Sequence, residues 1–191
     1  MVAGYHLIWT VYGFWFANDP RGSTSLEIRV EKFKPLGEIH YGRKKVQPSN
    51  QGLREFFGEA QDVLAHPVLS LDDDDIALIG QIIGREIAAR GYICYACAIM
   101  PDHVHLMIRR HCDRAEDMIE RFQETTRTAL IEAGKRGPTH PVWTKGGWKG
   151  FLNTRGDFER DIKYILQNPD KIGRPEQEWI FVTAYDGWLP T

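Results

Sequence analysis

The chain has 191 residues, 42% of them hydrophobic, with 24 Lys and Arg against 26 Asp and Glu and a formal net charge of −2. That length and apolar content fit one domain with a real core. The slightly acidic balance gives no general push toward nucleic acid, so any polyanion site must come from local clustering. An odd count of three cysteines argues against a disulfide framework and fits a reducing compartment. No apolar run is long enough to span a bilayer, and Met1-Val2-Ala3-Gly4-Tyr5-His6 does not resemble a secretory leader. A cytoplasmic location with no membrane partner is expected.

Residues 5–16 are rich in aromatic and β-branched side chains and predict a first strand. Turn residues at 18–23 end it. A polar stretch follows, with a short hairpin expected between residues 26–30 and 38–41. Residues 41–54 contain no acid and carry Arg43, Lys44, Lys45 and Arg54. Ser49 or Asn50 then caps a helix reaching to about Leu64, with Leu53, Phe56, Phe57, Ala60 and Leu64 at helical spacing. Asp72-Asp73-Asp74-Asp75 precede a second amphipathic helix. They read as its N-terminal capping turn, where the helix dipole favours negative charge, rather than as a metal cluster. Gly91 closes that helix.

Residues 92–100 form an apolar strand, Pro101-Asp102 interrupts it, and residues 103–110 continue as a strand after a hairpin turn or a kink. A helix is expected over residues 115–133. Residues 135–155 are loop-rich and free of acids, with Lys135, Arg136, Lys145, Lys149 and Arg155 interleaved with Trp143, Trp148 and Phe151. The last clear helix runs over residues 158–168 and Pro169 stops it. Residues 179–182 read as a further strand.

Three stretches can carry chemistry. In Met100-Pro101-Asp102-His103-Val104-His105-Leu106-Met107-Ile108, strand alternation puts His103, His105 and Met107 on one face, and Val104, Leu106 and Ile108 on the other. Two imidazoles on one rigid face make half of a divalent-metal site, and Asp102 is placed to orient a ring. The plain alternative is a pair of half-buried strand histidines. In Tyr164-Ile165-Leu166-Gln167-Asn168, Tyr164 and Asn168 are i,i+4 neighbours on one helix face. Tyr164 can serve as a nucleophile beside a metal-activated phosphate, and Asn168 can complete the metal site, with Gln167 as the competing ligand. On helix geometry alone, a surface tyrosine and an asparagine capping the helix before Pro169 are the favoured reading, because polar i,i+4 pairs are common. The third stretch is the acid-free segment, where Lys145, Trp148, Lys149 and Arg155 suit single-stranded nucleic acid: charges track phosphates and rings stack on bases. A surface loop with tucked tryptophans is the competing reading. Cys94 and Cys97 would point to opposite faces of a strand, so they read as core residues and not as a zinc site.

Taken together, these residues resemble the single-tyrosine HUH transposases, most closely the REP-associated tyrosine transposase-like branch. Residues 5–13 are similar to the family's first strand. Ala98-Ile99-Met100-Pro101-Asp102-His103-Val104-His105-Leu106 resembles its MPNHVHL signature, with Asp102 where Asn is usual. Tyr164-Ile165-Leu166-Gln167-Asn168-Pro169 resembles its YIxxNP signature. The resemblance implies an α+β fold: a ferredoxin-like antiparallel sheet with helices packed on one face and the catalytic tyrosine on a C-terminal helix. It implies one transposase-like domain over residues 1–191 with a family-variable insertion at about 18–71. It further implies that His103, His105 and Asn168 bind Mg²⁺ or Mn²⁺, that Tyr164 cuts single-stranded DNA through a 5′-phosphotyrosine, and that strands are then rejoined. Arg43, Lys44 and Lys45 would help hold a DNA hairpin. The expected partners are single-stranded or hairpin DNA, with a homodimer and helix exchange left open. Two alternatives stand beside this one: a domesticated relative that holds DNA without cutting, and a small-phosphoester hydrolase with water as nucleophile.

Overall fold

The apolar alternation of the strands builds a four-stranded antiparallel sheet in a computed structural model, which describes residues 1–23, 25–28, 31–42 and 44–190. In chain order the elements are β1 (Gly4–Thr10), α1 (Asn50–Val63), α2 (Asp73–Arg90), β2 (Cys94–Ile99), β3 (His103–Arg109), α3 (Ala115–Glu132), β4 (Trp148–Leu152) and α4 (Arg155–Leu166). Short 3₁₀ turns cover Glu31–Leu36 and Pro169–Ile172. The chain forms two compact units, Met1–Val11 with Ser70–Thr191, and Tyr12–Leu69. Among the described residues, no helix is long and apolar enough to cross a membrane.

In the first unit the strand order is β2-β3-β1-β4. With α2 and α3 as the connections, β1–α2–β2–β3–α3–β4 is the ferredoxin-like arrangement of an α+β fold. The register sets His6 opposite Met107, Leu7 opposite Leu106, Trp9 opposite Val104 and Thr10 opposite His103. Paired residues share a face, so Leu7, Trp9, Val104 and Leu106 lie together and His6, His105 and Met107 lie on the other side. The first face is covered by α3, whose Phe122 ring stacks on Trp9 at 6.0 Å between centroids. The expectation of helices on one face describes α2 and α3, which pack side by side. α4 lies across the opposite face, where Phe158 and Ile165 pack with Ala96, Ala98, Met107 and Leu152. Gly4 makes that approach feasible: a Cβ there would sit 2.6 Å from the Phe158 ring.

The capping turns follow the sequence. Ser49 Oγ accepts from Gly52 N at the start of α1. Asp72 and Asp75 form a reciprocal capping box on α2, and Gly91 closes it in the left-handed conformation, φ 68°. Asp75 is also buried against Arg136 and Lys135. Cys94 and Cys97 are buried core residues, and burial pushes both thiols up.

Four local expectations change. The first strand stops at Thr10 rather than Phe16, because the chain turns at Gly13, φ 92°. The hairpin over 26–30 and 38–41 gives way to the 3₁₀ turn, which Asn18 ties down by donating from its amide to Phe33 O and Gly37 O. Arg29 and Val30 of that expectation lie outside the described residues, as does Arg43. Residues 179–182 make a single bridge, Cys94 to Val182, because Trp179 and Phe181 dock where Gly80 and Gly84 leave no room for a Cβ on α2. The loop-rich segment contains the edge strand β4.

The second unit, Tyr12–Leu69, has its own small core. Phe16, Phe56 and Ala60 are buried, with Phe33, Leu36, Phe57 and Leu64 packed around them. The Phe16 ring meets Phe33, Phe56 and Phe57 edge to face, which adds to their area burial.

Candidate active site

The site sits on the α4 face of the sheet and is built from three elements. β3 supplies His103 and His105, β1 supplies His6, and α4 with the turn after it supplies Asp161, Tyr164, Asn168 and Lys171. Alternation along β3 aims both histidines away from the α3 core, as their sequence pattern requires. α4 begins with a Thr154–Asp157 capping box, so its register is fixed two and a half turns before Tyr164. Phe158 and Ile165 bury the inner stripe, Tyr164 comes off the helix toward the histidines, and Asn168 is buried just past the helix end.

The rings are close to one another. His103 and His105 meet at 4.7 Å between centroids, nearly perpendicular. Tyr164 approaches His105 edge to face at 5.5 Å and His6 at 6.2 Å. His105 is 2% exposed and Asn168 4%, whereas Tyr164 is 45% exposed. Buried His105 and Asn168 beside an open phenol leave the Tyr164 hydroxyl reachable by a large substrate, and His103 is half-buried.

His103 and His105 are each engaged through Nδ1, and His6 through both ring nitrogens. His103 Nδ1 lies 2.6 Å from Asp102 Oδ1. His105 Nδ1 lies 2.9 Å from His6 Nε2. His6 Nδ1 lies 3.1 Å from Asp161 Oδ2. Burial pushes the His105 imidazole down to about 2, and neighbouring His103, His6 and Lys171 push the same way. His6 is also lowered by burial, against the pull of Asp161. Both rings are therefore neutral at physiological pH, the state in which imidazole can bind a metal. Asn168 donates from Nδ2 to Tyr164 O at 2.8 Å and accepts from Lys171 Nζ at 3.1 Å on Oδ1.

The structure thus brings together His103, His105 and Tyr164, and ties the buried Asn168 to the Tyr164 backbone and to Lys171. It does not bring in Gln167, which caps α4 and turns into an open groove on the other side with Lys163 and Glu176. Trp148 lies on edge strand β4, 44% exposed, with its ring 5.8 Å from His6. Lys149, next along the strand, points to the opposite face and pairs with Glu116 of α3 at 3.2 Å. Arg155 pairs with Glu159 at 2.7 Å, and Lys145 is exposed in the turn before β4. Trp143 is core, its Nε1 donating to Thr126. Lys44 and Lys45 belong to the Tyr12–Leu69 unit.

His6, Asp161 and Lys171 are absent from the sequence expectations. Signals for them existed. The alternation of the first strand puts His6 on the face away from Leu7 and Trp9, and Asp161 lies one helical turn before Tyr164. Away from this site, His111, Cys112 and Asp113 have donor atoms within 4.8 Å of one another among the described residues.

Fold and site together define a ferredoxin-like sheet with a histidine pair and an exposed tyrosine converging on one face. No family model and no curated protein matches the chain. Among solved structures, it is similar to the REP-associated tyrosine transposase bound to a REP hairpin, at 11% identity over 90% of this chain and 68% of that one, with a TM-score of 0.47. It is also similar to a candidate transposase from Deinococcus radiodurans R1, at 12% identity over 86% of this chain and 91% of that one, with a TM-score of 0.41. At these scores, what the chain does is read from its own site.

Proposed function

We propose that the protein is a metal-dependent single-stranded DNA endonuclease and strand-transferase of the tyrosine transposase type. The observation that carries this reading is the convergence of an exposed Tyr164 with His105, 5.5 Å between ring centroids, and a buried Asn168 one turn on. These residues come from two separate signatures, and a merely structural tyrosine has no reason to stand over the buried His105 and His6 rings.

The donor set fits a divalent cation. His103 and His105 each have Nδ1 engaged by Asp102 and His6, so Nε2 is the nitrogen left on both rings. Asn168 Oδ1 is the third candidate ligand. Imidazole suits Mn²⁺ better than Mg²⁺, which prefers an all-oxygen shell, and both are compatible with added water ligands. When bound, the ion would neutralise charge on the scissile phosphate. Tyr164 then supplies the nucleophile. Its oxygen forms a bond to phosphorus as the phosphorus–O3′ bond breaks, the phenolic proton leaves, and the departing 3′ oxygen takes one up. The 5′-phosphotyrosine conserves the bond energy, so a 3′-hydroxyl can later displace Tyr164 and reseal a strand. Trp148, exposed beside His6, would stack a base next to the cut, and Lys145, Lys44 and Lys45 would meet phosphates.

The test is covalent trapping. Labelled hairpin and single-stranded oligonucleotides with Mn²⁺ should give a denaturant-stable protein–DNA adduct, and Tyr164→Phe should abolish it. An adduct that survives Tyr164→Phe would overturn the assignment. A second reading, DNA holding without cleavage, is favoured by one observation: the Lys171 ammonium takes the Asn168 oxygen. Tight hairpin binding with no adduct under Mn²⁺ would select it.

A further inference from the structure

His6 and Asp161 lie outside the histidine and tyrosine signatures, yet both join the site by hydrogen bonds. His6 Nδ1 is 3.1 Å from Asp161 Oδ2, and His6 Nε2 is 2.9 Å from His105 Nδ1. An ionised carboxylate can only accept, so the hydrogen of the first contact belongs to His6 Nδ1. A neutral imidazole carries one N–H, which leaves His6 Nε2 as a lone pair. The nitrogen facing it must then donate, placing a hydrogen on His105 Nδ1. His105 Nε2, on the far side of the ring, is left as a lone pair.

Two imidazolium arrangements satisfy the same distances, one of them His105 with a hydrogen on both nitrogens, a charge on a ring only 2% exposed that desolvation opposes. In the other, His6 as an imidazolium would donate from both nitrogens, and His105 would carry its hydrogen on Nε2. That form offers nothing to a cation. It also places a charge on a ring only 3% exposed, which desolvation opposes.

We infer that Asp161 and His6 form a positioning relay that holds His105 in the tautomer whose Nε2 is free for a divalent cation. The inference rests on the reading of His103 and His105 as ligands. Metal-bound histidines commonly give their second N–H to an acceptor that fixes ring orientation and tautomer. Asp102 stands in that place for His103, at 2.6 Å and one residue away. For His105 the acceptor is another histidine, and the carboxylate stands one step further back on α4. Asp161 precedes Tyr164 by one helical turn, so the helix that carries the nucleophile also anchors the ligand. Packing alone does not explain the pair, because two buried imidazoles carry a desolvation cost that aliphatic side chains would avoid.

Two measurements test this. In metal-free protein, two-bond ¹⁵N–¹H correlation spectra should report His105 as the Nδ1–H tautomer. By calorimetry, His6→Leu should weaken Mn²⁺ binding by about 10- to 100-fold. His6→Gln, whose amide can donate to Asp161 and accept from His105, should stay close to wild type, and Tyr164→Phe should leave Mn²⁺ affinity unchanged. If His6→Leu does not fold, Asp161→Ala supplies the same comparison without a change in the sheet. A His105 Nε2–H tautomer in the metal-free protein would overturn the relay, as would wild-type Mn²⁺ affinity in both folded variants. A wild-type protein that shows the Nδ1–H tautomer but takes up no Mn²⁺ would overturn the ligand reading instead, and with it the purpose of the relay.

Discussion

The ammonium of Lys171 lies 3.1 Å from Asn168 Oδ1 and 3.9 Å from the centre of the Tyr164 ring. One cationic side chain thereby holds the amide oxygen proposed as a metal ligand and covers the face of the proposed nucleophile. It also contributes to keeping His105 neutral. In the proposed site, a divalent ion and this ammonium would compete for the same oxygen.

Lys171→Met should therefore tighten Mn²⁺ binding, not weaken it. Removing the competing hydrogen bond, about 1.4 kcal/mol, corresponds to about a tenfold lower Kd. Calorimetry on the metal-free protein reads this directly. An unchanged or higher Kd would mean that Lys171 and the cation do not share Asn168.

Edge strand β4 separates two side chains that sequence alone treats alike. Trp148 faces the tyrosine side and is exposed, whereas Lys149 faces α3 and pairs with Glu116. Trp148→Ala should weaken single-stranded DNA binding by about 1–3 kcal/mol, the usual worth of one stacked base. Lys149→Ala should have a much smaller effect, because its charge is already engaged and points away. Fluorescence anisotropy at fixed ionic strength compares the two, and equal losses would contradict this assignment of faces.

The capping box of α4 predicts an acid-sensitive step. Asp157 accepts from the backbone N–H of Asn153 and of Thr154, at 3.1 and 3.0 Å. Those bonds, Asn153 first, hold its carboxyl down to about 2 in the folded state. An unfolded Asp takes its proton near about 4. The stabilisation is thus complete above about pH 4 and is lost as pH falls from there toward 2. Thermal melts from pH 5 to 2 should show the Tm advantage of wild type over Asp157→Asn shrinking through that window. A constant difference would remove Asp157 as its source.

How much of this was legible in the chain follows from the range of each interaction. The common face of His103 and His105 came from a period of two along a single strand. The facing of Tyr164 and Asn168 came from i,i+4 spacing on a single helix, and the caps at Ser49, Asp72 and Gly91 came from turn chemistry within a few residues. These are local rules, and the structure follows them. Spacing alone did not distinguish the burial of Asn168 and Gln167; with α4 docked through Phe158 and Ile165, Asn168 is buried and Gln167 exposed.

The partnership of His6 with His105, and of Asp161 with His6, joins residues 99 and 155 positions apart. No local period reaches that far. It depends on β1 pairing with β3 in a register that puts His6 opposite Met107, and on Gly4 letting Phe158 seat the last helix across the same face. The residue types for the chemistry were therefore present in short motifs. Which nitrogen of His105 is free, which cation sits on Asn168, and which tryptophan is open to a base were decided by strand register and helix docking.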